Sequence, residues 1–476
     1  MGLGWVYIFT KETAAGGEEQ GMNLAETFVG EKLLEQGVKF ILRNPERNLR
    51  GILGIAEKLA REPHHREMVA AVKRVLQDKE SNWYKFAQRL LTQTHPNIRQ
   101  RLAINFFVNS TFIGVPRQKE WATKLGVSVP YAILMDPTEK CNLNCLGCWA
   151  GDYQRTQELD LATMDRIATE GEKLGIYFIV LSGGEPLLRR QDILTLAERH
   201  PDQVFHVFTN GTLIDESFVQ EMVRLGNITV AISLEGFEET TDARRGKGVF
   251  KKVMRAMDLL RENGAVFGAS VTYTRKNTEE LGSEAFIDML VDKGVAFVWF
   301  FTYIPIGKDV DLEMMATPEQ RAWMFERITY FRQTKPIFLV DFWNDGEASN
   351  GCIAGGRRYF HINAAGEVEP CAFVHYSTCN IKNISLIEAL QNPLFRAYQK
   401  RQPFHPNLRR PCPLIDNPEM LREIVHESGA YCTQLHDEET IDEFAAKLTP
   451  YAQEWGRLAD NIWEEKQSTL REAQVQ

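Results

Sequence analysis

The sequence predicts an α/β fold: a partial (β/α)6 barrel of the TIM type, with an N-terminal helical domain before it and a small C-terminal domain after it. Three observations predict this. Six short apolar runs recur between residues 129 and 306 with helical patterns between them, and that alternation makes parallel strands. Three cysteines crowd the loop after the first run. Further cysteines are scattered beyond the last run, outside the repeating pattern. The implied divisions are a helical region at 1–128, the barrel at 129–340, the small domain at 341–425 and a helical tail at 426–476.

The apolar runs are Val129 to Asp136, Tyr177 to Leu181, Gln203 to Phe208, Ile228 to Leu234, Val266 to Tyr273 and Val295 to Ile306. Barrels of this class gather their active groups on the loops at the C-terminal ends of the strands. The first such loop holds Cys141, Cys145 and Cys148, spaced C-x3-C-x2-C. Thiolates are the ligands of iron–sulfur clusters, and a cubane has four irons. Three close thiolates hold three irons and leave the fourth open to a small molecule. A structural zinc site needs four ligands, usually as two pairs, and no second C-x2-C exists here.

The following loops carry polar groups in order. After the second run comes Ser182-Gly183-Gly184-Glu185-Pro186, where two glycines allow close backbone approach and Glu185 can accept from an amine. Asn210 follows the third run, and Ser233 and Glu235 end the fourth, with Arg244 and Arg245 shortly after. Taken singly, Gly-Gly-Glu-Pro and Asn-Gly are ordinary turns. Their value lies in falling at the same end of successive strands.

With these motifs, residues 129–310 resemble the radical S-adenosylmethionine (SAM) superfamily. The resemblance implies a [4Fe–4S] cluster on Cys141, Cys145 and Cys148, with SAM chelating the open iron. It places Gly183, Gly184 and Glu185 near the methionine amine, with Ser182 among the SAM-binding residues. Asn210, Ser233 and Glu235 fall near the rest of SAM, the last two by the ribose, and Arg244 near the carboxylate. The family often carries an aromatic residue just before the third cysteine; here it is Gly147, with Trp149 after.

Downstream, Cys352, Gly366 and Cys371 match the opening C-x(9–15)-G-x4-C of the SPASM and twitch auxiliary-cluster domains, and Cys412 follows. The later C-x2-C-x5-C-x3-C array of full SPASM domains is absent. The resemblance therefore implies one auxiliary [4Fe–4S] cluster on Cys352, Cys371 and Cys412. Its fourth ligand is left open between Cys379, Cys432 and a non-cysteine group. Buried free cysteines would be the plainer explanation.

The chain of 476 residues is 44% hydrophobic and 25% charged, ordinary for a soluble globular protein. A net charge of −9 disfavours a broad nucleic-acid surface. No signal-peptide pattern opens the sequence, and no run of 18 apolar residues occurs in it. Cluster thiolates need reducing conditions, so an oxygen-poor cytoplasm is expected, with possible peripheral membrane contact. That contact is suggested by residues 83–124. There Lys85, Arg89, Arg99, Arg101, Arg117, Lys119 and Lys124 face one acid, Glu120, among many aromatics. A basic aromatic helix can lie on an anionic bilayer; a helix docked on the barrel with a solvated charged face is the plainer expectation.

The implied function is reductive cleavage of SAM, fed by a low-potential donor such as flavodoxin or ferredoxin. The 5′-deoxyadenosyl radical then abstracts hydrogen from a peptide or protein, the usual targets of auxiliary-cluster relatives. The alternative is a lipid or isoprenoid chain at a membrane surface. A redox sensor without catalysis is disfavoured by the intact Gly-Gly-Glu-Pro.

Overall fold

The computed structural model describes residues 77–151, 156–434 and 439–475, together with scattered helical positions between 35 and 75. The helical patterns at Leu24 to Leu42, Arg47 to Leu59 and Arg66 to Leu76 lie largely outside the described residues.

All six expected strands form: β1 (Ala132–Met135), β2 (Phe178–Leu181), β3 (Val204–Thr209), β4 (Ile228–Leu234), β5 (Phe267–Tyr273) and β6 (Phe297–Thr302). Three more extend the sheet, namely β7 (Phe338–Asp341), β8 (Tyr359–Ile362) and β9 (Val368–Glu369). Their order is β7-β6-β5-β4-β3-β2-β1-β8-β9, parallel throughout except for β8 with β9. β8, which comes from the cysteine-bearing region after the barrel, pairs with β1 from Ala132↔Tyr359 to Met135↔Ile362.

The intervening helices are bounded as their sequences require. Asp160 caps Leu161–Leu174 by accepting from the Thr163 amide, and left-handed Gly175 ends it. Asp215 and Gly226 do the same for Glu216–Leu225. These helices cover the outer sheet face, where Ile179, Val207, Val230, Ile232, Val271 and Phe300 are fully buried.

The inner face differs. Along β6, Val298, Phe300 and Thr302 are buried while the alternate Phe297, Trp299 and Phe301 are only half-buried. Ser270 and Thr272 of β5 and Phe208 of β3 are likewise half-buried. A closed TIM barrel fills its interior with layered side chains; here the inward aromatic rings of β3 and β6 are only half-buried.

Residues 82–125 form a run of helices packed on the N-terminal ends of the strands. Asn105 is fully buried and donates to the Pro201 and Gln203 carbonyls. Gln118 donates to the Gly175 carbonyl. Arg89 reaches the Val291 and Val295 carbonyls, Arg99 that of Leu91 and Arg117 that of Glu172. Lys85 pairs with Glu80, and Lys124 with Glu120. Much of the segment's basic charge is therefore engaged within the fold, as a docked helix requires. Phe107 and Phe112 remain exposed.

At the other end, the helix Ile441–Val475 packs back on the body. The buried ring of Trp455 lies 4.1 Å from the Arg321 guanidinium. Arg321, fully buried, pairs with Asp416 at 2.5 Å, and Asp416 accepts from the Cys412 amide at 3.0 Å.

Candidate active site

The cysteine loop leaves the C-terminal end of β1 and is gripped from three sides. From the β2 loop, the Gly184 and Glu185 amides donate to the Thr138 and Lys140 carbonyls. A Cβ on Gly184 would stand 2.2 Å from the Lys140 oxygen, so only glycine permits this docking. Beyond β4, Arg244 donates through Nε and Nη2 to the Leu146 and Gly147 carbonyls, and its own carbonyl accepts from the Leu146 amide. After β6, the Lys308 amide donates to the Cys148 carbonyl. Tyr303, from the same loop, fills the space beside Gly147: a Cβ there would lie 2.8 Å from its ring. The aromatic group missing before the third cysteine is thus matched by a ring from another strand.

Cys141, Cys145 and Cys148 are free and only partly exposed. Burial pushes the Cys141 thiol up to about 11 and raises Cys148, and each also feels its neighbouring thiols. Such thiols do not ionise alone at neutral pH; a cationic cluster is what would draw off their protons. Among the described residues, no three His, Cys, Asp or Glu side chains gather closely enough for a single metal ion. A cubane, which spreads its ligands over separate irons, suits this donor set better than zinc.

The predicted SAM contacts divide into open and committed groups. Ser182, Gly183, Gly184 and Ser233 are half-buried beside the loop. Asn210 donates to Asn142 at 2.8 Å and lies 3.9 Å from the Cys141 sulfur, so it steadies the thiol loop. Glu185 is fully buried: it accepts from the Leu187 amide at 3.0 Å, the Thr209 hydroxyl at 2.7 Å and the Asn210 amide at 2.7 Å. It ties the β2 loop to the β3 loop. Glu235 is also fully buried, held by Arg244 at 2.5 Å and by Arg245 at 2.5 Å. These two carboxylates shape the site.

A second group of thiols lies across β8. Cys352, Cys371 and Cys412 come from three separate segments, and burial pushes each to about 12 while neighbouring thiols add to the rise. The Ala354 amide donates to Cys352 at 3.5 Å, the Leu414 amide to Cys412 at 3.3 Å and the Tyr359 hydroxyl to Cys371 at 2.7 Å. Donors converging on buried sulfur are what thiolate ligands of a cluster need. Cys379 stands apart, packed against the barrel's outer core, whereas Cys352 and Cys412 pack with Cys371 in the other core. Cys432 sits opposite Tyr376 in a short antiparallel strand pair, beside a small pocket shared with Phe373 and Leu414.

Sequence reasoning missed what joins the two thiol groups. Trp149, next to Cys148, packs on Phe373, two residues past Cys371, at 5.7 Å. Below them, His361 of β8 lies 2.7 Å from Glu369 and 2.9 Å from Asp136, all three buried. Burial alone would lower the His361 pKa; Asp136 and Glu369 outweigh it and raise it to about 10. Asp136 approaches the ring without hydrogen-bond alignment. The hint was the sequence Tyr359-Phe-His-Ile, an alternating strand with a polar residue on one face.

Comparison with known proteins agrees with this geometry. Residues 135–282 match the radical SAM superfamily, and residues 352–413 match SPASM, an iron–sulfur cluster-binding domain. The chain carries a radical SAM domain followed by a SPASM domain. Its cofactors are SAM, the [4Fe–4S] cluster that binds it and an auxiliary iron–sulfur cluster. The chain is 29% identical over 181 residues to the Fe-coproporphyrin III synthase of Methanosarcina barkeri, covering 37% of this chain and 45% of that protein, less than half its length. It is 27% identical over 308 residues to the mycofactocin maturase MftC of Mycolicibacterium smegmatis, covering 60% of this chain and 77% of that one. Among solved structures, Streptococcus suis SuiB bound to precursor peptide SuiA aligns with a TM-score of 0.50 at 17% identity, covering 61% of this chain and 71% of that one.

Proposed function

We propose that this radical SAM enzyme abstracts a hydrogen atom from a substrate held inside the barrel, and that Cys352, Cys371 and Cys412 hold an auxiliary cluster that would accept an electron when the substrate radical is oxidised with loss of a proton. The observation that carries this reading is the Trp149–Phe373 contact, which joins the cysteine loop of β1 to the auxiliary-cluster loop on one side of the chamber. When bound, the cluster and SAM supply the 5′-deoxyadenosyl radical. The chain's own residues hold the thiol loop through the Gly184 and Glu185 amides and Arg244, and set the substrate between β6 and β8. A low-potential flavodoxin or ferredoxin in a reducing, oxygen-poor cytoplasm suits these thiolates.

Two substrate classes have support. A peptide or protein is supported by the names of SuiB with its precursor peptide and, by likeness to a maturase, MftC. A lipid or isoprenoid chain is supported by the aromatic inner face of β6 and the exposed Phe107 and Phe112. No described helix is long and apolar enough to cross a membrane.

The common chemistry is tested first. Anaerobically reconstituted protein with dithionite and SAM should release 5′-deoxyadenosine. Replacing Cys141, Cys145 and Cys148 together by Ala should abolish that release. Equal release from the triple variant removes the reading.

A further inference from the structure

The chamber wall distinguishes the two substrate classes, on the hydrogen-abstraction reading above. Phe297, Trp299 and Phe301 line β6 at alternate positions, which places them along about 13 Å of one strand at the usual rise per residue. Phe208 faces them from β3, 6.0 Å from both Trp299 and Phe301. Phe342 and Phe373 continue the surface beside Phe301 at 5.4 and 6.2 Å. His206 is fully enclosed in this wall, among Phe208, Phe297 and Trp299, and donates to or accepts from Thr229 at 2.8 Å, while Ser270 and Thr272 of β5 are half-buried on the same face. Burial lowers the His206 pKa to about 3, so the ring carries no charge.

A peptide laid along the aromatic rings of β6 would bury more amides and carbonyls than the two hydroxyls of Ser270 and Thr272 could satisfy. The strands cannot supply the remaining partners, because β3, β5 and β6 are each paired on both sides by parallel neighbours. Each orphaned peptide group costs on the order of 1–3 kcal/mol. A hydrocarbon chain has no such groups to satisfy, and it covers the faces of these rings that are still half-exposed. The opposite mouth adds to this. The segment Ile104–Gly114 turns Phe106 onto Phe178 at 5.3 Å, while Phe107 and Phe112 on the same segment are 49% and 55% exposed. One element thus meets the inner wall and presents apolar rings outward.

We infer that the chamber takes the aliphatic chain of a membrane lipid, recognised through its hydrocarbon rather than its headgroup.

The test uses the anaerobic holoenzyme and cis-parinaric acid, a fluorescent fatty acid. Wild type should bind the probe saturably, and phosphatidylglycerol vesicles should displace it while glycerol 3-phosphate should not. Trp299→Glu should weaken binding at least about tenfold, because a carboxylate must be desolvated against hydrocarbon. Trp299→Leu keeps the wall apolar and should stay within about threefold of wild type. Cluster absorbance and circular dichroism report whether either variant has folded. No saturable binding to wild type, displacement by glycerol 3-phosphate, or equal binding by folded Trp299→Glu overturns the inference. So does displacement by unstructured apolar peptides but not by vesicles, which would favour a peptide. Wild-type release of 5′-deoxyadenosine is read separately. Its absence with probe binding intact would sink the radical reading and leave the chain-binding chamber standing.

Discussion

Glu185 shows how a residue's role changes once its partners are known. In sequence it stands ready for a ligand's amine; in the fold its carboxylate is taken by two amides and a hydroxyl. Glu185→Ala should therefore lower global stability by about 3 kcal/mol, since three buried donors lose their acceptor. Denaturant unfolding of the cluster-free protein checks this; an unchanged midpoint would return Glu185 to a purely ligand-facing role. His361 yields a pH test. Its folded pKa, about 10, lies above the ordinary 6.5. The stability it contributes is therefore full below about 6.5 and lost as pH rises through about 10. His361→Gln should flatten that part of the stability–pH curve, and a slope that survives in the variant would rule the ring out as its source. The three first-loop cysteines were legible because their spacing is local. The Thr209 and Asn210 partners of Glu185 and the Asp136 partner of His361 were not, because they come from other segments. The nearer Arg244 and Arg245 of Glu235 carry no pattern that pairs them with it.

At the level of elements, the strands were legible wherever an apolar run ended in a polar loop. β8 was not, because Tyr359-Phe-His-Ile is short and lies inside a stretch read for its cysteines. The wall of β6 was hidden for a different reason. Val298 and Phe300 are apolar too, so the period of two that separates inner from outer faces does not show in hydropathy. The basic segment at 83–124 reads differently once its hydrogen bonds are known. Arg89 and Arg117 cap carbonyls at the ends of barrel elements, so their loss should be felt in folding. Arg89→Glu should destabilise the protein by about 1–3 kcal/mol, the cost of leaving buried acceptors unpaired. A charge reversal that leaves the denaturation midpoint unchanged would show that these bonds contribute nothing measurable.

For the whole molecule, the decisive quantity is the iron content. Two sets of thiols, one on the β1 loop and one gathered by Cys352, Cys371 and Cys412, should hold about eight irons as two cubanes. Cys352→Ala with Cys371→Ala should leave about four and keep the spectrum of the SAM-binding cluster. Iron and sulfide analysis giving one cluster in the wild type would remove the second. The pairing of β1 with β8 has a further consequence during synthesis. As the chain leaves the ribosome, β1 finds β2 early, but its other edge stays open until Ile362 has emerged. An open edge of apolar strand is a template for pairing with other chains. Through the whole translation of the barrel, this protein therefore carries an unguarded strand edge beside its cysteine loop, and protection from stray pairing is needed longest at β1.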